Sequence, residues 1–369
     1  MWLAHGRKEK LSVEIKILHG ADFHLEVPFR KFGVKGKILR QGLKETFKKF
    51  IDTAIEKRVN LIIIAGDLFD TNLVSPATID FLKTQLQKIE EYGILTIILP
   101  GTHDLFDSQS VYRRKVWQEF NNVYVFNEER KFLFPELSLA VHGRANTSNE
   151  SKTSPLEGLL PDDSVRFNIA VAHGSMQIKG KSSPDDYPIT FEEIEQSGFD
   201  YVALGHWHTF SKYQLGTTLV SYCGSASQTN FDNSGCVNLV TLNDNGVLLE
   251  RIPTTYHSWI AKECSCNDLE QVVNELRDSR AIVRINLTDL PNDVLLDYDR
   301  DFFHLEIINP TIKDNISTEE DLTQFSDKTF VGQFLRLANE KMSKNDESDE
   351  SIIAEALEIG KKILMTGEV

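Results

Sequence analysis

The residues able to do chemistry sit in short motifs just beyond apolar runs. Asp22 and His24 flank one residue after the run 15–18. Asp67 follows Gly66 after 61–65, in a stretch that closes on Asp70. Thr102, His103 and Asp104 follow Gly101 after 94–99, His173 follows 167–172, and His206 and His208 follow 201–204. Carboxylate and imidazole donors without a thiolate suit manganese, iron or zinc. In extended backbone the two ends of Asp-x-His point to one side, and glycine before Asp67 permits a sharp turn. A carboxylate shared by two ions roughly 3.5–4 Å apart would polarise a phosphate and deprotonate a water at neutral pH. Taken singly, each motif has a plainer reading: Gly-Asp-x-x-Asp as a turn, His173 as a core histidine. The ordered set of five carries the functional reading. His142 also follows a strand but has no partner motif, so it reads as structural.

The elements that must position these residues follow from periodicity. Runs 15–18, 61–65 and 94–99 are rich in β-branched residues and end at glycine or proline, with helical spacing over 39–58 and 75–92 between them. This is a β-α-β-α-β pattern with buried strands. Short strands follow at 137–141, 167–172, 201–204, 218–222 and 237–242, with few helices between, which predicts an α/β sandwich of two sheets. Ligands of such sheets bind beyond the carboxyl ends of strands, so five strand ends would meet on one rim. Near Pro253 the pattern changes. A helix over 266–276 with Asn267 as cap, and strands over 281–287 and 303–308, predict a small α+β domain. The acidic run 344–351 reads as a linker before a helical segment, 352–365. The expected layout is an N-terminal extension (1–13), a metal-bearing domain (14–255), a capping domain (256–330) and a C-terminal helical tail (331–369).

A chain of 369 residues exceeds what one core usually holds. No apolar stretch is long enough to span a bilayer, and the first residues lack a secretory pattern. The four cysteines, Cys223, Cys236, Cys264 and Cys266, do not follow zinc-finger spacing; a reduced, cytoplasmic protein is the simplest expectation. The net charge of −15 argues against a sequence-independent duplex binder. Any nucleic-acid contact would be local, metal-assisted or shared with a partner.

These motifs resemble those of the calcineurin-like metallophosphoesterase superfamily, and within it the SbcD and Mre-eleven type of DNA-repair exonuclease. Residues 17–25 (ILHGADFHL) resemble its opening strand and first motif, and 61–70 (LIIIAGDLFD) its second. Residues 222–231 (YCGSASQTNF), with Gly235, resemble its Y-P-G-S signature. The resemblance implies a four-layer α-β-β-α metallophosphoesterase sandwich with a smaller α+β capping domain. It implies that Asp22, His24, Asp67 and His208 hold one divalent ion, and that Asp67 bridges to a second held with His173 and His206. Manganese is the first expectation for the pair, iron or zinc the alternatives. His103 would stabilise the transition state or act as general acid, with Asp70 orienting it; Asp104 matches the family's acidic residue. The family places asparagine where this chain has Thr102, a shorter and weaker ligand. The hydroxyl could ligate, a water could fill the gap, or the second ion could bind loosely. Cys223 replaces the signature's proline. The implied activity is DNA cleavage in repair, exonucleolytic and potentially endonucleolytic, by a homodimer paired with an SbcC-like, SMC-type ATPase.

Two other readings compete. A phosphatase on the same fold is opposed by Thr71-Asn72, where the Ser/Thr protein phosphatases of the superfamily have Arg-Gly. A non-catalytic adaptor of an ATPase rests on Thr102 alone and is opposed by the presence of Asp70 and His103. For the nuclease, Arg30, Lys31, Lys35, Lys37 and Arg40 form a basic loop after the first motif, with no acidic residue between Pro28 and Lys44. Arg113 and Arg114 follow the third motif. Such residues can position a phosphate backbone without reading bases; a solvated basic turn explains them equally well. Ile352, Ala356, Ile359 and Ile363 recur at helical spacing, fitting either a partner groove or their own domain.

Overall fold

The computed structural model describes residues 14–127, 131–233, 235–277, 281–288 and 304–308. The N-terminal extension, the acidic linker and the C-terminal helical segment lie outside the described residues. The chain divides into two compact units between Tyr256 and His257.

In the first unit, β1 (Ile15–Gly20) leads through a 3-10 turn (Arg30–Lys35) into α1 (Gly36–Glu56). The basic stretch expected as a loop is therefore that turn and the start of α1. Helix α1 buries Leu39, Leu43, Phe47, Phe50 and Ile51, an apolar stripe at helical spacing. There follow β2 (Leu61–Ala65), α2 (Pro76–Glu91), β3 (Leu95–Leu99) and β4 (Val123–Val125). Ser75 caps α2 by accepting from the Thr78 amide, with proline in the first turn. Next come β5 (Lys131–Phe134), β6 (Leu139–Gly143), β7 (Phe167–His173) and α3 (Phe191–Gln196), which a Thr190–Glu193 capping box opens. The unit closes with β8 (Tyr201–Gly205), β9 (Ser211–Leu215), β10 (Thr218–Tyr222), β11 (Cys236–Asn243) and β12 (Gly246–Pro253).

Two six-stranded sheets result, in the orders β12-β11-β1-β2-β3-β4 and β5-β6-β7-β8-β10-β9. Strands β1 to β4 run parallel, as do β6, β7, β8 and β10; the antiparallel strands lie toward the edges. The sheets pack face to face, with Ile17, Ile63 and Ile97 of the first in one cluster with Val141, Ile169, Val171 and Ala203 of the second. On the outer face of the second sheet, Ala170, Val202, Leu204 and Val220 cluster with Ile194 of α3 and Phe199. On the outer face of the first, Phe50 of α1 lies 3.1 Å from where Gly20 would carry a Cβ. The α/β sandwich with two large sheets expected from the sequence is thus present. Buried polar ties cross it: His19 Nδ1 of β1 meets the Tyr201 hydroxyl of β8 at 2.8 Å, and Asn238 Nδ2 of β11 donates to Ser221 Oγ of β10 at 3.0 Å. Burial pushes the His19 pKa down to about 3, against the pull of the Leu204 backbone carbonyl, so the ring stays neutral.

The strand expected at 137–141 starts later because Pro135–Leu137 forms a 3-10 turn. In the second unit, β13 (Trp259–Cys264), β14 (Ile282–Leu287) and β15 (His304–Ile308) form a parallel sheet, with α4 (Leu269–Leu276) between the first two. Leu269, Val273, Val283, Ile285 and Leu287 are its core. Helix α4 starts later than expected because Ser265 and Asp268 close a turn through their side chains, at 2.6 Å, over the segment holding Asn267.

Candidate metal centre

The carboxyl ends of β1, β2, β3, β7 and β8 deliver the five motifs to one rim. The loops after β1 and β2 zip together. Asp22 N–H donates to Gly66 O, His24 N–H to Asp67 O and Asp70 N–H to Leu25 O, each at 3.1 Å. This pairing holds Asp22, His24 and Asp67 at φ values of 52°, 46° and 51°, and His206 sits at 101°. Each such backbone costs about 1–3 kcal/mol and persists only where its surroundings over-determine it. Here the strain falls on the candidate ligands themselves. Glycines make the crowding possible: a Cβ on Gly66 would lie 2.0 Å from His173 Nδ1, on Gly101 2.2 Å from Asp67 Oδ1, and on Gly205 1.8 Å from Ala65 O.

The signature segment closes the rim from behind. Ser225 Oγ donates to Asp22 O at 2.7 Å, and Ser225 N–H to His208 O at 3.1 Å. The Tyr222 hydroxyl accepts from Met176 N–H and donates to Gly174 O, fixing the turn after His173.

Asp67 lies at the centre of two clusters. Its Oδ1 accepts from the His103 amide at 2.9 Å, and its Oδ2 is 3.2 Å from His173 Nε2 and 3.9 Å from His24 Nε2. In the first half, His24 Nε2 and His208 Nε2 face each other at 3.2 Å, and His208 Nε2 is 3.7 Å from Asp22 Oδ1. In the second half, Thr102 Oγ1 lies 3.4 Å from His173 Nε2. Asp22, His24 and His208, and likewise Asp22, Asp67 and His173, bring one ligand atom each within 4.8 Å of one another.

The donor set fits divalent ions. The Ala65 carbonyl accepts from His173 Nδ1 at 2.9 Å, so Nε2 is the nitrogen that faces Asp67 and is open to a proton or an ion. Asp70 Oδ1 stands 3.4 Å from His24 Nδ1, leaving Nε2 toward His208. Outer carboxylates and carbonyls fix ligand imidazoles in this way. Two Nε2 atoms at 3.2 Å in a buried site need a proton or another cation between them.

The electrostatics agree. Burial opposes a charged His173 ring, yet bonded and charged Asp67, with Asp22 behind it, holds its pKa up at about 10. His24 is raised against its burial by Asp70, Asp67 and Asp22. Burial would raise Asp67, but His173, His24 and His103 hold it well below the usual carboxylate range. His208 is lowered, first by burial and also by its histidine neighbours. The cluster thus gathers protons as surrogate cations. Asp104 is pushed up to about 6 by burial and by Asp67, although Tyr112, Gly101 and Phe69 all donate to it. It buttresses the loop bearing Thr102 and His103.

His103 stands half-exposed on the rim. Its Nδ1 donates to the main-chain carbonyl of Asp70 at 3.2 Å, while the Asp70 carboxylate is 3.9 Å away and nearer to His24. Asp70 therefore meets His103 through its backbone and His24 through its side chain. Arg30 and Lys31 are exposed on the turn after the first motif, and Lys35 is half-buried. Arg113 donates to Asp107 O and stacks on Phe106 at 4.3 Å, and Arg114 grips Val74 O, so both tie loops together. His142 bonds Asn168 at 3.0 Å, a structural role. A cleft of about 550 Å³ opens beside His206 and His208, walled by Trp207, Phe210 and Tyr213.

Asp186 escaped the sequence reading. Its Oδ2 lies 3.0 Å from His206 Nε2. It arrives on the long connection after β7, and no motif or periodicity marks it.

Comparison with known proteins gives a family for the chain. A family model described as "Calcineurin-like phosphoesterase" matches residues 15–210. The chain is 29% identical over 241 residues to YhaO of Bacillus subtilis (strain 168), an uncharacterized metallophosphoesterase; the match covers 61% of this chain and spans 56% of that protein. Among solved structures, TT1561 of Thermus thermophilus is similar at 14% identity and a TM-score of 0.43, over 65% of this chain and 99% of that one. The calcineurin-like phosphoesterase YfkN from Bacillus subtilis is similar at 12% identity and a TM-score of 0.40, over 66% and 91%.

Proposed function

Since the chain belongs to the calcineurin-like phosphoesterase family, whose model spans more than half of it, we propose that it is a metal-dependent DNA phosphodiesterase. The observation that carries this reading is Asp67 between two ligand clusters, with His103 half-exposed beside it. Two divalent ions held here, manganese by preference, would polarise a phosphoryl group and activate a water. Asp22, His24, Asp67 and His208 would hold the first ion; Asp67, His173 and His206, with Thr102 beside them, would hold the second. His103 presents its ring nitrogen distal to Asp70 to the leaving oxygen.

Two observations favour a diester over a monoester. At the first of the two positions where the protein phosphatases have Arg-Gly stands Thr71, whose hydroxyl accepts from Leu73 N–H at 3.1 Å, so no guanidinium stands there to hold a terminal phosphate. The cleft beside His206 and His208 gives room for the organic group on the far side of a diester. Arg30 and Lys31 supply a local phosphate contact on an otherwise acidic chain. An SbcC-like ATPase partner and a homodimer complete the proposal, because a chain of −15 needs help to hold DNA.

The test is manganese-dependent digestion of end-labelled single- and double-stranded DNA, with and without the ATPase. His103→Ala is expected to abolish cleavage while the metal content stays at the wild-type level. Activity confined to phosphomonoesters would replace this reading with a phosphatase.

A further inference from the structure

The second half-site is one good ligand short at Thr102, so its hold on an ion depends on how firmly its remaining ligands are aimed. His173 is aimed by the Ala65 carbonyl. His206 lies at the start of a loop, with a strained backbone, and its side chain is only partly buried. Something must fix its ring.

Asp186 is placed to do so. Its Oδ2 lies 3.0 Å from His206 Nε2 and also accepts from Ser175 Oγ. Ser175 Oγ in turn accepts from Trp207 Nε1 at 2.9 Å, and Trp207 stacks on Tyr222 at 4.7 Å. The bonds therefore close a ring through His206, Asp186, Ser175 and Trp207, anchored on the signature tyrosine. The backbone is pinned on both sides of Asp186: Ser151 N–H donates to Asp185 O at 2.7 Å, and Tyr187 N–H to Ser151 O at 3.0 Å. A carboxylate that takes the proton of Nε2 leaves Nδ1 as the only ring nitrogen with a lone pair.

We propose that Asp186 is the positioning residue of the second half-site, locking His206 as the Nε2–H tautomer so that Nδ1 ligates the second ion. This rests on the two-ion reading above. It makes the halves alike, with Asp70 behind His24 in one and Asp186 behind His206 in the other. Carboxylates in this role typically contribute about ten- to a hundredfold in metal affinity.

The test uses the full chain without substrate. Mn2+ binding is followed by calorimetry and by metal content after desalting, for wild type, Asp186→Ala and the neighbouring control Asp185→Asn. The wild type is expected to bind two ions. Asp186→Ala should weaken the second by about ten- to a hundredfold and leave the first unchanged, and Asp185→Asn should match the wild type. Unchanged second-ion affinity in Asp186→Ala overturns the proposal. Should that variant not fold, histidine ring 15N shifts of the Zn2+-loaded wild type decide: Nδ1 bound with Nε2 protonated at His206 supports it, and Nε2 bound overturns it. A wild type that binds no pair of ions would instead remove the two-ion reading itself.

Discussion

At the scale of single residues, the site is a set of buried charges balanced by protons when ions are absent. His173 has an unfolded value of 6.5 and a folded one of about 10. A raised pKa means its proton stabilises the fold fully below 6.5, and that contribution is lost as pH climbs toward 10. Asp67 is depressed, so its contribution is present at neutral pH and lost only in acid. Chelator-stripped protein should therefore melt at progressively lower temperature from about pH 7 to about pH 9. Manganese-loaded protein should not follow it, because the ion takes over the proton's role. Parallel melting curves would mean that His173 does not face Asp67 in solution. Thr102 is the other residue to test. Its hydroxyl lies 3.4 Å from His173 Nε2, within reach of the second half-site. Thr102→Asn adds a carbonyl ligand; a gain of about 1.4 kcal/mol would tighten the second ion tenfold. Equal manganese occupancy and unchanged activity would show that threonine costs the site nothing.

At the scale of elements, strand ends and the glycines that let them meet do the positioning. Gly205 ends β8 where a Cβ would stand 1.8 Å from the Ala65 carbonyl of β2, in the other sheet. The same carbonyl aims His173. Gly205→Ala must push the sheets apart at the rim, at a cost of about 3 kcal/mol, the upper end for overpacking. Denaturant unfolding should show that loss together with reduced metal content; wild-type stability would show that the rim can yield. Strand β2 was legible because every residue is buried, leaving an unbroken apolar run rich in isoleucine. Strands β9 and β12 were not, since they are edges whose half-buried and exposed residues alternate. The candidate ligands were legible because each stands within a few residues of a buried strand's end. Asp186 was not, because loop hydrogen bonds bring it to His206 from 20 residues away in sequence. Nor could sequence show that Arg113 and Arg114 spend their guanidinium groups on backbone carbonyls.

At the scale of the molecule, a net charge of −15 must be reconciled with the proposed polyanionic substrate. Long-range attraction to DNA is weak for such a chain, so binding would rest on the ions and on a few local cations. Arg30 and Lys31 are exposed and Lys35 half-buried on one short 3-10 segment kinked at Gly33, directly after the motif that supplies Asp22 and His24. Reversing all three to glutamate changes the net charge by −6, since each replaces +1 by −1, from −15 to −21. Duplex binding should weaken, and the slope of log affinity against log salt should flatten by up to roughly 2.7, at about 0.9 for each phosphate no longer neutralised. Hydrolysis of bis(p-nitrophenyl) phosphate, which reaches the ions without touching the turn, should hold at the wild-type rate. The two readouts separate a phosphate-tracking turn from a solvated surface. Unaltered salt dependence would leave the task of holding DNA to the proposed partner, whereas loss of both activities would place the turn in the metal site itself.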